Sequence, residues 1–382
     1  MKLLPTLVAL IIGALSVDVA FADDVDDNLA ALLAVGDGAE GSAAARAARK
    51  QLVAEGTSIL PKLMASMDEA NPVSLNWCRV VWDEIVTAEM AKSEPQLPID
   101  EFCEYVRDAK HPGPARRMVL DLLDTVKPDE RPQLIPTLLD DPEFREDAIN
   151  VALAAGDKAR EANDTGGAKE AYQKAFDHAR ESGQITASAE RLRSVGVEVS
   201  IPRHMGFVTK FRIVGPFHAE GMTGFDRVFP PEENVDLQAT YTDAGKELRW
   251  QELNTEDTFG QFDLNKLIGP EGSVVSYAYA VVRVEADEPL AAQIRCSADD
   301  NITVWFNGEQ VVRKLQWLNG TRLDRFTASV KLQPGLNRIL VKVCQGPQHR
   351  DPNVPNNWSM QLRLCTPDGA GVRFDVVDRD EK

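Results

Sequence analysis

The stretch SADDNITVWFNGE, residues 297–309, decides the fold of the second half of this chain. Large apolar side chains alternate with others from Ile302 to Phe306, which is the period-two pattern of a half-buried strand. Asn307-Gly308 follows at once and favours a two-residue turn, because both residues tolerate positive φ. The stretch therefore predicts a β-hairpin whose acidic pair, Asp299-Asp300, lies at the rim of a sheet, where a ligand could bind.

The same period-two pattern recurs from Gly206 to the C-terminus. The Gly215-Pro216-Phe217 sequence is expected to end a first strand around Phe211 and Ile213, and residues 218–272 are expected to be mostly loop, either functional or lying flat over a sheet. Further strands are predicted at 274–284, 290–296, 302–306, 310–314, 326–332, 337–345, 358–365 and 372–376. Eight or nine strands without interleaved helices predict that residues 206–382 form an antiparallel jelly-roll β-sandwich.

Residues 23–200 are predicted to be helical almost throughout. Asn71-Pro72, His111-Pro112 and Asp141-Pro142 each precede a helical stretch, and Pro is favoured in a first helical turn because the missing N–H has no partner there. The segment from Leu138 to Ala148 resembles the second helix of HEAT-type repeats, and residues 156–196 resemble one tetratricopeptide-like helix pair. We therefore expect a degenerate α-solenoid, with an irregular helical bundle as the alternative.

The N-terminus carries the pattern of a secretory signal peptide. Lys2 precedes an apolar run from Leu3 to Val17, and Ala20-Phe21-Ala22 fits the small-x-small cleavage rule. The run is too short for a comfortable membrane span, and no Cys follows it as a lipid anchor. Residues 1–22 are therefore predicted to be removed near Ala22, leaving an exported, soluble protein in the periplasm or outside the cell.

Charge is distributed unevenly along the chain, whose formal net charge is −18. Residues 206–382 contain 20 Lys/Arg and 25 Asp/Glu, a net −5, so the remaining residues contribute −13. An acidic surface repels phosphate backbones and anionic lipids, so nucleic acid and membrane are not expected as partners.

The cysteine count is odd, five in all, so at least one thiol is free or pairs between chains. No C-x-x-C sequence occurs, which argues against a zinc ribbon or a thioredoxin-type site. Cys344 and Cys365 fall on strands predicted to be adjacent. An exported protein could join them by a disulfide, and buried free thiols are the alternative.

Four segments together resemble a known superfamily. Residues 297–309 are similar to the central hairpin of galactose-binding-like and PA14-like β-sandwiches, and LQPGLNRILVKV (332–343) and WSMQLRL (358–364) resemble later strands of that fold. The segment from Gly215 to Glu232 resembles its first part. The whole arrangement resembles exported bacterial proteins of unknown activity that combine HEAT-like helices with this sandwich.

The resemblance suggests a ligand site at the rim. In some PA14-like lectins a neighbouring Asp pair coordinates calcium that holds sugar hydroxyls, so Asp299 and Asp300 are candidate calcium ligands. Asn301 is a further candidate ligand-binding residue, and Asn307, Asn319 and Asp324 are additional oxygen donors. In the alternative interpretation, the acidic pair only satisfies backbone amides of a turn.

Aromatic residues offer a second kind of sugar contact. Trp305 and Trp358 lie in strand patterns and are expected in a core, whereas Trp317 lies in a predicted loop and is the preferred stacking residue.

Motifs for catalysis are missing from the sequence. It contains no H-E-x-x-H, no G-x-S-x-G, no phosphate-binding loop and no dinucleotide fingerprint. We therefore expect a non-enzymatic protein that binds a glycan or envelope polymer at the sandwich rim. One alternative is a scaffold whose helices bind a protein partner, and another is an uncatalogued hydrolase that uses two carboxylates.

Overall fold

The computed structural model describes residues 22–221, 223–269, 271–316, 320–348, 350–351, 353 and 356–377. The predicted signal peptide up to residue 21, together with Trp317 and Asn319, lies outside these residues. The chain divides into two compact units, Met1–Phe144 and Arg145–Lys382. Helices fill the N-terminal half and antiparallel strands the C-terminal half, as the sequence predicts at this level. None of the helices in the described residues is both long enough and apolar enough to cross a membrane.

The α-helices have the following bounds in chain order: α1 Ala22–Leu33, α2 Ser42–Glu55, α3 Leu60–Ser66, α4 Pro72–Met90, α5 Ile99–Arg107, α6 Gly113–Val126, α7 Glu130–Leu134, α8 Arg145–Glu161, α9 Thr165–His178, α10 Ser182–Ser194, α11 Ile201–Met205, α12 Pro230–Glu233 and α13 Leu264–Leu267. The strands are β1 Lys210–His218, β2 Thr240–Asp243, β3 Lys246–Arg249, β4 Gln251–Asn254, β5 Phe262–Asp263, β6 Val274–Val284, β7 Leu290–Ala298, β8 Ile302–Phe306, β9 Glu309–Lys314, β10 Phe326–Leu332, β11 Gly335–Gln345, β12 Ser359–Cys365 and β13 Asp375–Val377.

The first unit contains α1 to α7 around a core of apolar side chains. The side chain of Asn71 caps α4 by accepting hydrogen bonds from the Val73 and Ser74 N–H groups at 2.8 and 3.0 Å, so this helix starts where the sequence predicts. Arg116 in α6 forms a buried ion pair with Asp141, with Nη1 and Oδ2 2.7 Å apart. The remaining Asp141 oxygen accepts from the Glu143 N–H at 2.9 Å. One carboxylate thus joins α6 to the turn that follows α7.

The second unit combines α8 to α11 with two large antiparallel sheets and the two-stranded sheet β2-β3. One large sheet has the strand order β4-β1-β6-β11-β8-β9, with β13 also paired to β6, and the other has the order β10-β7-β12-β5. Apolar residues of both sheets, such as Ile294, Val304, Val341 and Leu362, share one buried core. The two sheets therefore face each other across this core.

The hairpin predicted from residues 297–309 is confirmed. Strands β8 and β9 pair, and the backbone φ is 50° at Asn307 and 87° at Gly308. These two positive values are what a tight type I′ turn requires. Strand predictions at 274–284, 302–306 and 326–332 match the observed bounds.

Two strand predictions are wrong in detail. Strand β1 continues through Gly215-Pro216 to His218, because a register shift between Val214 and Phe217 absorbs the irregular residues. The strand predicted at 372–376 occupies Asp375–Val377, because the Val372 N–H bonds to the Leu364 carbonyl and not to β6.

A second core lies on the other face of the seven-stranded sheet, under the segment that follows β1. Phe217, Phe229 and Trp250 are buried there against Tyr277. This segment also contains β2 to β5, so it is less irregular than the sequence predicts.

A lysine lies buried within the second core. Lys342 is 2% exposed, and its Nζ donates to the carbonyls of Phe225 and Arg227 at 3.2 and 2.7 Å and to Glu232 at 2.8 Å. The Tyr277 hydroxyl donates to the same carboxylate. Glu232 therefore links the covering segment to two strands, β6 and β11.

All five cysteines are buried free thiols. Of the two alternatives for Cys344 and Cys365, the structure therefore has the buried free thiols. The predicted adjacency of their strands is wrong, because β11 belongs to the seven-stranded sheet and β12 to the four-stranded one. Burial raises the pKa of the Cys344 thiol to about 12, so it behaves as a small apolar side chain.

Candidate ligand-binding end of the sheets

The connection between β7 and β8 places two carboxylates against two different loops. Asp299 is 1% exposed, and its Oδ2 accepts a hydrogen bond from the Gly320 N–H at 3.0 Å. Asp300 has a left-handed backbone with φ of 64°, and its Oδ2 accepts from the Gly346 N–H at 2.7 Å. The first loop follows β9 and the second follows β11. Each carboxylate therefore holds the backbone of a loop that is distant in sequence.

Asn301 adds a third contact of the same kind. Its Oδ1 accepts from the Gln316 N–H at 2.6 Å, and the Gln316 side-chain amide donates to the Asp300 carbonyl at 2.8 Å. Asn301 is 0% exposed, and its Nδ2 has no hydrogen-bond partner among the described residues. A buried donor left in this state lowers stability, so it is a candidate for contact with water or ligand.

Asp299 differs from an ordinary aspartate in its pKa. Burial raises its pKa to about 6 from an ordinary value of 3.8. The Gly320 N–H acts in the opposite direction, and the negative charge of Asp300 acts in the same direction as burial. Asp299 is therefore mainly ionised at neutral pH, but its ionised form is disfavoured by its surroundings.

Calcium needs six to eight oxygen ligands around one point. One oxygen each of Asp299, Asp300 and Asn301 is already bound to a backbone amide. The part of the chain that the structure describes contains no group of three or more His, Cys, Asp or Glu residues that could hold a metal ion. These residues do not form a calcium cage in this geometry, and calcium binding stays a prediction.

Of the additional oxygen donors, Asn319 lies outside the described residues, and Asn307 and Asp324 are bonded to other residues. Asn307 lies at the far end of β8, where its Nδ2 donates to Asn337 at 3.0 Å. Asp324 lies nearer, but both of its oxygens are occupied. Arg363 Nε donates to Oδ1 at 2.7 Å, and Arg295 Nη1 donates to Oδ2 at 3.1 Å.

The tryptophans expected in a core are buried to different degrees. Trp358 is fully buried in the core between the sheets, and its Nε1–H has no partner among the described residues. Trp305 is half-buried against the second core. The preferred stacking residue, Trp317, lies outside the described residues, so its role stays a prediction.

Sequence reasoning missed two charged groupings. His218 lies between Asp243 and Glu271, with Nδ1 2.7 Å from the first carboxylate and Nε2 3.2 Å from the second. The second grouping is the pairing of Asp324 with two arginines. No local sequence motif predicts either group of charged residues, because each group joins residues from separate strands and loops.

Comparisons with known proteins give no assignment. No family model matches the chain, and no curated protein matches it. An anti-sigma factor domain-containing protein from Clostridium clariflavum shows 12% identity over 46% of this chain and 48% of its own, with a TM-score of 0.26. A beta-glucuronidase from Faecalibacterium prausnitzii shows 12% identity over 42% and 31%, with a TM-score of 0.23.

A third solved structure, the GH31 alpha-xylosidase from Xanthomonas citri, shows 12% identity over 32% of this chain and 15% of its own, with a TM-score of 0.19. The chain thus spans about half or less of the length of each of these proteins. Similarity at this level supports no conclusion about fold or activity.

Proposed function

We propose that this protein is a non-catalytic binding protein that recognises a glycan or another envelope polymer through the loops at the Asp299–Asn301 end of the sheets. One observation carries the proposal: three consecutive side chains accept hydrogen bonds from backbone amides of two separate loops, at Gly320, Gly346 and Gln316. Binding residues often lie on loops that a rigid scaffold positions. Strands β7, β8 and β11 supply such a scaffold at this end.

The state of Asp299 supports the same location. A carboxylate whose pKa is raised to about 6 by burial lowers the stability of the folded chain at neutral pH. Residues that reduce stability in this way cluster at functional sites. A ligand donor or a cation beside Asp299 would stabilise its ionised form.

We propose a jelly-roll topology for the strands and a degenerate solenoid for the helices. Consecutive strands from β6 to β12 exchange between the two sheets, except for the hairpin β8-β9, and this exchange supports the jelly roll. The buried pair Arg116–Asp141 ties α6 to the turn that follows α7, and such a tie between neighbouring segments supports stacked helical repeats. We also propose export to the periplasm or beyond after cleavage near Ala22, on the basis of the N-terminal pattern.

Binding to an array of envelope glycans tests the proposed function. We expect Asp299→Ala/Asp300→Ala to weaken binding at least about tenfold, because both loops lose their anchors. The control is Asp287→Ala, an exposed carboxylate in the connection between β6 and β7, at the opposite end of the strands. It should bind like the wild type.

Thermal unfolding in EDTA and then in calcium completes the test. A ligand that binds only the folded state raises the melting temperature. A rise in the wild type but not in the double variant would support a metal-assisted site. The proposal fails if a folded double variant binds glycans like the wild type. It also fails if no glycan binds and the chain instead recognises a protein through its helices.

A further inference from the structure

Two neighbouring cavities lie in the second unit, at the other end of β12 from Asp299. They have volumes of about 540 and 460 Å³. Helices α9 and α11 and the segment 370–376 line them, and Ser200, Arg203 and Arg373 line both. We call the two cavities together, with the two arginines that they share, the arginine groove.

The lining of the groove contains four cationic side chains and two carboxylates, whereas the chain as a whole has a formal net charge of −18. Arg203 and Arg373 are exposed, and neither guanidinium group forms a hydrogen bond or ion pair with another described residue. The other cations that line the groove have partners: Arg180 pairs with Asp368 at 3.4 Å and Lys210 with Glu252 at 3.0 Å.

Two aspartates also line the groove, and among the described residues neither forms an ion pair with Arg203 or Arg373. Asp177 accepts a hydrogen bond from the Gln173 side chain at 2.8 Å, and Asp375 lies exposed on the rim of the second cavity. Burial lowers the pKa of His204, whose ring packs on Phe176, so this imidazole is neutral at pH 7. Two guanidinium groups are thus available to an anion.

The walls of the groove are held in fixed positions. Gly371 packs so closely on α11 that an added Cβ would lie 2.2 Å from the His204 carbonyl oxygen. Buried Arg363 donates from Nη1 to the carbonyls of Met205 and Gly369, both at 3.1 Å, and so ties the two walls together. A ligand would therefore meet a preorganised surface, which reduces the entropic cost of binding.

A guanidinium group pairs with a carboxylate through two parallel hydrogen bonds. Amide and hydroxyl side chains beside the arginines, those of Gln173, Asn254 and Thr209, suit the hydroxyl groups of a sugar. We propose that the arginine groove binds an acidic polysaccharide, a chain of uronate sugars whose carboxylates pair with Arg203 and Arg373. This is a second site, separate from the Asp299–Asn301 end.

Titration calorimetry with the purified chain tests this assignment. The probes are an oligogalacturonate, the same oligomer fully methyl-esterified, and poly-L-glutamate of similar charge. We expect Arg203→Gln and Arg373→Gln each to weaken oligogalacturonate binding about tenfold, the effect of losing a charge-assisted hydrogen bond. Arg203→Lys should lose part of the affinity, because it retains the charge without the bidentate geometry.

Two controls separate this site from the proposed function. Arg249→Gln removes an exposed arginine that pairs with its neighbour Glu247 at 3.2 Å, and it should leave binding unchanged within about twofold. Asp299→Ala/Asp300→Ala should also bind oligogalacturonate normally. Loss of glycan binding in Asp299→Ala/Asp300→Ala alone would support only the site at the Asp299–Asn301 end. Loss of oligogalacturonate binding in the arginine variants alone would support only the arginine groove.

Three results would overturn the inference. The first is that the double variant Arg203→Gln/Arg373→Gln binds oligogalacturonate like the wild type. The second is equal affinity for the methyl ester, which would remove the role of the carboxylate. The third is equally tight, arginine-dependent binding of poly-L-glutamate, which would make the groove a site for acidic peptides.

Discussion

Asp299 and Asp324 lie in the same two-sheet unit, and their surroundings shift their pKa values in opposite directions. Burial raises the pKa of Asp299 to about 6, and the groups that donate hydrogen bonds to it are backbone amides. Burial also acts to raise the pKa of Asp324, but Arg363 and Arg295 outweigh it and hold that pKa below its ordinary value. Burial alone therefore does not decide whether a carboxylate stabilises the fold, and the charge of its partners does.

Three substitutions test this comparison, and Asp324→Asn should change the free energy of unfolding most. Arg363 is 1% exposed, and removing one partner of a buried ion pair costs about 3–5 kcal/mol. We expect a loss of that order in the free energy of unfolding, measured in urea at pH 7. The pKa of Asp324 is lowered, so its contribution is present above its ordinary value of 3.8 and is lost as pH falls below it. The difference from the wild type should therefore shrink in acid, and a difference that persists unchanged would contradict the pairing.

Asp299→Asn should have a smaller effect of opposite sign. The folded pKa of about 6 lies above the ordinary 3.8, so wild-type stability falls as pH rises between these values. This difference between the unfolded and folded pKa of Asp299 corresponds to about 3 kcal/mol of stability at most, and we expect the variant to gain about 1–3 kcal/mol at pH 7.5. Urea unfolding at pH 4 should show no such gain. A variant less stable than the wild type at pH 7.5 would mean that the ionised carboxylate is stabilising.

Arg295→Gln should have the smallest effect. The Arg295 side chain is 21% exposed, and Asp324 keeps its contacts with Arg363 when Arg295 is removed. We expect a loss of about 1 kcal/mol, typical of a partly exposed charge-assisted hydrogen bond. A loss as large as that of Asp324→Asn would show that the two arginines act as one unit, and the double variant would then reveal the coupling.

Local patterns in the sequence were enough to predict those parts of the fold that are determined by interactions between nearby residues. The β8–β9 hairpin was predictable because the alternation and the Asn307-Gly308 turn lie within a few residues. The β2–β3 hairpin was missed, since its strands have four residues each and are mostly polar. The signal that could have found it is Ala244-Gly245, where both residues have positive φ.

The position of the candidate site along the chain could be predicted from the sequence, but the hydrogen bonds of its side chains could not. The sequence places Asp299, Asp300 and Asn301 at the start of a strand. The amides that the two carboxylates bind lie 21 and 46 residues further along, and no spacing rule relates them. Arg203 and Arg373 were missed for the same reason, because only the fold brings α11 and the C-terminal segment to one groove.

The buried lysine of the second core has a consequence for how the sheet assembles. Lys342 and Tyr277 are directly opposite each other in the pairing of β11 with β6, and both reach Glu232. A slip of β11 by one residue would turn Lys342 towards the apolar core between the sheets and leave the carboxylate without a cation. The segment that carries Glu232 therefore meets its cation only on correctly aligned strands, so this ion pair favours the observed register over a one-residue slip.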